Sequence, residues 1–174
     1  GADFKELAET RLFLEINVLP LTAERATEQD FSRLQQAVDL LRQGIEQKDH
    51  ATCIAADIAF HRALFEASQN RVLASFADVM KEFFADIRRA LFTEDALKVD
   101  ERTVWEHQTI CDALRRKEVR QAQETMYAHL SVYRSDKGMT DGIRTFVGHT
   151  EETRSNVRIF KRSNIQTRKG DTNR

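Results

Sequence analysis

In the segment ADIAFHRALFEAS, a carboxylate and an imidazole occupy a stripe that helical spacing would make apolar. Asp57 and His61 stand four residues apart among Ile54, Ile58, Leu64 and Phe65. Residues at i and i+4 lie one above the other on a helix face, so both side chains can reach one point. Burying a carboxylate without a partner is costly, so the pattern calls for compensation. Two further histidines repeat the oddity: His107 on the stripe Val104, His107, Cys111, Leu114, and His129 on Ala122, Met126, His129, Tyr133. Taken singly, each reads as a packed, hydrogen-bonded core histidine, and an Asp57–His61 ion pair would account for the first two residues. Three inward imidazoles with one carboxylate also suit a divalent metal in a bundle core, with Zn²⁺, Ni²⁺, Mn²⁺ and Fe²⁺ all compatible. On pattern alone these readings stand side by side.

Other chemistries fit less well. A ferritin-like di-iron centre needs Glu-x-x-His, and no histidine here has Glu three residues before it. HExxH, GxSxG, the P-loop and GxGxxG do not occur. Glu106 is expected to point away from the stripe of His107. Ser68, Ser75 and Ser131 have no evident activating context, and neither cysteine is placed like a nucleophile.

The elements that would position these residues are helical. Of 174 residues, 41% are hydrophobic and 32% charged, with six Gly and one Pro. That scarcity of breakers, beside abundant Glu, Gln, Arg, Leu and Ala, favours an all-α fold. A first helix is expected from about Asp3 to Arg25, using Leu7, Leu12, Phe13, Ile16 and Leu19, with Pro20 kinking or breaking it. Thr27, with Asp30 three residues on, starts a second helix carrying Phe31, Leu34, Val38, Leu41 and Ile45. Asp49 caps the third, which holds Asp57 and His61, and Asn70 caps the fourth. The fourth places Leu73, Phe76, Met80, Phe83, Ile87 and Leu91 in register, followed by a loop at TEDALKVDE. A fifth runs from about Glu101 to Arg116 and a sixth from Val119 to Ser135. Six antiparallel helices with short connections make a bundle with a central ligand or metal cavity.

Residues 138–174 differ. They are polar and weakly periodic, with eight Lys/Arg against four Asp/Glu, which leaves the first 137 residues at −5 within a whole-chain charge of −1. A poorly ordered or loosely docked extension is the expectation. The near-neutral total does not advertise nucleic-acid or membrane binding. Two cysteines in no CxxC arrangement suit a reduced, cytoplasmic protein. No apolar run reaches the length of a membrane span. The abrupt opening GADFKELAE reads as a cut at a domain edge, with part of the natural protein outside this chain.

The stretches ELAETRLFLE, ADIAFHRALFEASQN, EHQTICDAL and MYAHL occur in this order over about residues 4–137. Together they resemble the effector-binding FCD domain of FadR-subfamily GntR transcription regulators. The resemblance implies an all-α bundle that dimerises, and an N-terminal winged helix-turn-helix that binds operator DNA and is absent from this chain. It implies a metal, most often Zn²⁺ or Ni²⁺, on Asp57, His61, His107 and His129, the four residues that helical geometry also picks out. It further implies a small organic acid as effector, with Arg11 on the first helix holding its carboxylate. An ion pair between Arg11 and Glu15 is the alternative reading of that arginine. Arg88, at the edge of the fourth helix's stripe, is a second effector candidate. The 37 residues after position 137 depart from the family pattern.

The expectation is therefore a non-enzymatic effector-sensing domain, residues 1–137, with a basic extension at 138–174. Its rivals are a metalloenzyme using the same Asp/His₃ site and a metal-free helical scaffold.

Overall fold

The computed structural model describes residues 4–78 and 101–131. All of these belong to the first of two compact units, Gly1–Ser135, into which the chain divides. They form α1 (Phe4–Arg25), α2 (Glu28–Gln47), α3 (His50–Ala67), the helical segment α4 (residues 71–78), α5 (Glu101–Arg115) and α6 (Val119–Ser131), with no strand among the described residues. The all-α expectation is met. Arg88, Met80, Phe83, Ile87, Leu91, Tyr133, residues 93–100 of the TEDALKVDE stretch and residues 138–174 lie outside the described residues, and Glu101, expected at the end of that loop, is the first residue of α5.

Local chemistry sets the boundaries. Thr27 caps α2 through a reciprocal capping box: its hydroxyl accepts from the Asp30 amide, and the Asp30 carboxylate accepts from the Thr27 amide at 2.8 Å. Asp30 also holds the side-chain amide of Gln69 at 3.0 Å, tying the start of α2 to the turn after α3. Asp49 accepts from the amides of Ala51 and Thr52 at the head of α3, and Asn70 from those of Val72 and Leu73 at the head of α4. Lys48 closes α2 in the left-handed region at φ 55°.

Pro20 does not break the helix, because α1 runs through it as one element. A proline within a helix leaves the carbonyl four residues earlier without its amide donor. That carbonyl belongs to Ile16, and the Gln123 side chain of α6 donates to it at 3.1 Å. A second neighbour reinforces the same stretch: the Thr22 hydroxyl donates to Leu64 O of α3 at 2.8 Å.

α2 packs along α3 and α5; α1 packs against α3, α5 and α6; α5 packs against α6. The core contains Leu12, Ile16, Leu19, Leu34, Val38, Leu41, Phe60, Leu64, Ile110, Leu114 and Met126. Two apolar expectations fail. Phe13 is 63% exposed, since α1 buries the face of Arg11, Leu12, Glu15, Ile16, Val18 and Leu19 instead. Phe76 is 42% exposed, while its neighbour Ala77 is buried.

Candidate metal centre

Four helices deliver the polar residues to one point. α3 contributes Asp57 and His61 one turn apart, α5 contributes His107 and α6 contributes His129, all buried. α1 closes the fourth side with Arg11 and Glu15, also buried.

The ligand atoms face inward. His61 Nε2 lies 3.3 Å from both His107 Nε2 and His129 Nε2. Asp57 Oδ1 lies 3.5 Å from His61 Nε2 and 3.4 Å from His107 Nε2. One ligand atom from each of the four falls within 4.8 Å of every other, the one such group among the described residues. Nitrogen and oxygen ligands about 2.0–2.2 Å from a shared ion stand roughly 3 Å or somewhat more apart, so these spacings suit a common cation.

The outward nitrogens explain why the inner ones are acceptors. His61 Nδ1 meets Glu15 Oε2, and His129 Nδ1 meets Glu106 Oε2 at 2.9 Å. An ionised carboxylate only accepts, so each Nδ1 carries the proton and, in the neutral ring, each Nε2 keeps its lone pair. His107 Nδ1 is buried and has no hydrogen-bond partner. Imidazole lone pairs and a carboxylate oxygen directed at one point leave mutually repelling acceptors unless a cation, or a proton on His61 Nε2 shared with Asp57, stands between them. The residues present therefore fit a divalent metal by the chemistry of their donor set.

The electrostatics differ from ring to ring. Burial alone would raise the Glu15 carboxyl, but His61 and Arg11 outweigh it and bring it down to about 2. Burial disfavours a charged His61, yet Glu15 and Asp57 hold its pKa above the usual imidazole value against the opposing charge of Arg11. Burial, then the neighbouring His129, hold His107 well below that value, so its ring is neutral near pH 7. Burial, then Asp112, push the Cys111 thiol up to about 11, which keeps it protonated and out of nucleophilic or ligand chemistry.

Asp57, His61, His107 and His129, singled out by spacing, thus converge. Arg11 is buried beside them, with Nε on Glu15 Oε1 at 2.6 Å, so the ion pair considered from the sequence is present. Arg88 lies outside the described residues. Glu106 corrects an expectation. It is buried and holds His129, because α5 is packed against α2, α1 and α6, and its buried stripe is wide enough to include position 106. Glu15 and Glu106 are the site residues that sequence reasoning missed as such. Both follow an arginine by four residues, as Arg11–Glu15 and Arg102–Glu106, but Arg42–Glu46, Arg62–Glu66 and Arg120–Glu124 share that spacing outside the site, so it does not single them out.

Fold and site together define a helical bundle whose core gathers one aspartate and three histidines. The FCD domain profile matches residues 6–132, and the chain belongs to the FCD domain family. It is 35% identical over 133 residues to the HTH-type transcriptional regulator LutR of Bacillus subtilis, covering 74% of this chain and 59% of that protein. It is 28% identical over 130 residues to the HTH-type transcriptional repressor NanR of Cronobacter sakazakii, covering 75% of this chain and 48% of that one. Among solved structures, Streptococcus agalactiae GntR superposes with a TM-score of 0.64 at 25% identity, over 76% of this chain and 59% of that chain. The chain thus spans about half to three fifths of the length of these proteins. LutR and NanR are transcription regulators by name, in line with a non-enzymatic domain.

Proposed function

We propose that this chain is the effector-sensing domain of a bacterial GntR-type transcription regulator. In this reading a small organic acid binds through a divalent metal, Zn²⁺ or Ni²⁺ foremost, held by Asp57, His61, His107 and His129. Convergence of three imidazole Nε2 atoms and one carboxylate oxygen in a buried core carries the proposal. Such an ion, with four protein ligands and positions left open, would accept a carboxylate and an adjacent hydroxyl as Lewis bases.

The chain's own residues do the rest. Glu15 and Glu106 keep the His61 and His129 rings turned so that Nε2 faces the centre. Phe60 packs its ring 4.2 Å from that of His107 and edge-on to His61. Arg11 supplies positive charge for an anionic ligand at the α1 side, and a guanidinium can pair with a carboxylate bidentately.

Residues 1–137 form the sensing unit of a homodimer in the cytoplasm, and operator DNA is contacted by a winged helix-turn-helix outside this chain. The named relatives, both HTH-type regulators longer than this chain, support that placement. Ligand binding then acts by differential affinity for two arrangements of the helices, which is all that coupling to DNA binding requires.

A thermal-shift series of hydroxy acids, sugar acids and dicarboxylates tests this, run on metal-loaded and chelator-treated protein. At least one acid should raise the melting temperature in a concentration-dependent way only in the loaded protein. Equal shifts with and without metal would overturn metal-mediated binding.

A further inference from the structure

The two histidines backed by carboxylates are held by the same three-residue device used twice. On α1, Arg11 Nε donates to Glu15 Oε1 at 2.6 Å, while Glu15 Oε2 takes His61 Nδ1 on α3. On α5, Arg102 Nε donates to Glu106 Oε1 at 2.8 Å, while Glu106 Oε2 takes His129 Nδ1 on α6. In both, the arginine precedes the glutamate by four residues, one carboxylate oxygen takes the guanidinium and the other the imidazole. In both, the helix supplying the carboxylate differs from the helix supplying the histidine. His107 has no such support, since its Nδ1 lacks a hydrogen-bond partner.

We propose that Arg11–Glu15 and Arg102–Glu106 are paired outer braces of the metal centre, positioning His61 and His129 while leaving His107 as the unbraced ligand. The inference rests on the metal reading given above. Physically, a carboxylate on Nδ1 fixes the tautomer, fixes the ring about its Cβ–Cγ bond and makes Nε2 a stronger donor. The arginine holds the carboxylate in turn, so that it cannot swing toward the metal and replace the imidazole. Two braces on different helices also make ligand geometry depend on the packing of α1 against α3 and of α5 against α6. Those contacts are thereby linked to metal affinity, with His107 the ligand that can yield first.

The arrangement differs between the two sides in a testable way. The Arg11 side chain is buried, whereas that of Arg102 is 46% exposed, so Arg102 can be changed with little loss of packing. Co²⁺ is the probe, because its visible absorption reports ligand field as well as occupancy. The full chain is titrated with Co²⁺ as wild type, Glu15→Gln, Glu106→Gln and Arg102→Gln, with urea unfolding of each metal-free protein. Each Gln keeps the glutamate's shape and removes its charge.

Glu15→Gln and Glu106→Gln should each bind Co²⁺ about 10- to 100-fold more weakly, with altered visible bands. Arg102→Gln should weaken binding less than Glu106→Gln, with the unfolding midpoint near wild type. A purely structural role would move the urea midpoint and leave the Co²⁺ bands unchanged, and that outcome overturns the proposal. If Glu15→Gln does not fold, Glu106→Gln and Arg102→Gln decide: affinities and bands equal to wild type overturn it. Wild-type protein that takes up no Co²⁺ overturns the metal reading itself. Wild-type binding matched by both glutamine variants overturns only the braces.

Discussion

Individual side chains at the centre of this bundle work as a set in which charge, tautomer and burial are mutually dependent. Glu15 is held to about 2 by His61 and Arg11 against the cost of burial, so removing one partner leaves another buried group exposed to that cost. Away from the centre, Gly44 illustrates how a single position is limited by its neighbours. A Cβ there would lie 2.8 Å from Cys53 Sγ and 2.9 Å from the Cys53 amide nitrogen. Alanine normally stabilises a helix interior relative to glycine by roughly 1 kcal/mol. Here the close approach of α2 to α3 reverses the sign, because backbone must move to admit a methyl group. Gly44→Ala should destabilise by about 1–3 kcal/mol, seen as a lower urea midpoint at unchanged slope.

At the scale of elements, the helix ends and the proline in α1 are where particular contacts set local stability. Gln123 replaces the donor that Pro20 cannot offer to Ile16 O, which lets α1 continue to Arg25. Gln123→Ala should leave that carbonyl unsatisfied and cost about 1–3 kcal/mol in chemical denaturation. The capping box gives a pH-dependent counterpart. Although burial raises the Asp30 carboxyl, hydrogen bonds from Thr27 and the charge and hydrogen bond of Arg33 hold it below its ordinary value. A carboxylate lowered in the folded state stabilises fully above its unfolded pKa of about 3.9 and loses that contribution as pH falls through the folded value. Asp30→Ala should therefore cost about 0.5–2 kcal/mol near neutral pH. The gap from wild type should shrink as unfolding is followed from pH 5 to below pH 4.

Much of this level was legible in the sequence, and the reason is physical. Thr27, Asp49 and Asn70 act through amides two or three residues away, so their roles are local. The period of His61, His107 and His129 on their helices likewise depends only on helical geometry. The continuity of α1 was not legible, because its compensating donor sits 103 positions beyond Pro20 in α6. Glu106 was misread for a related reason. Its burial depends on how many neighbours α5 has, which no local pattern encodes, while the burial of His107 follows from a single face. Phe13 failed in the opposite direction, since α1 turns a face containing Arg11 and Glu15 inward and leaves the phenylalanine out.

For the molecule as a whole, the proposed metal would be linked to the fold through the four helices that carry Arg11, Glu15 and the four candidate ligands. An ion bound by the folded state alone adds stability set by its concentration relative to its dissociation constant, about 2.7 kcal/mol at a hundredfold excess. For a chain of this size that corresponds to a rise in melting temperature on the order of 5–10 °C, reversed by chelator. Calorimetry of the protein with and without added Zn²⁺ checks this. No helix among the described residues is long and apolar enough to cross a membrane.

Elemental analysis of exhaustively dialysed protein tests the central claim most directly. Wild type should retain close to one equivalent of a divalent transition metal per chain, while His107→Ala and His129→Ala, folded by circular dichroism, should retain little. Metal-free wild type that takes up no ion on reconstitution, or alanine variants that keep a full equivalent, would contradict the account.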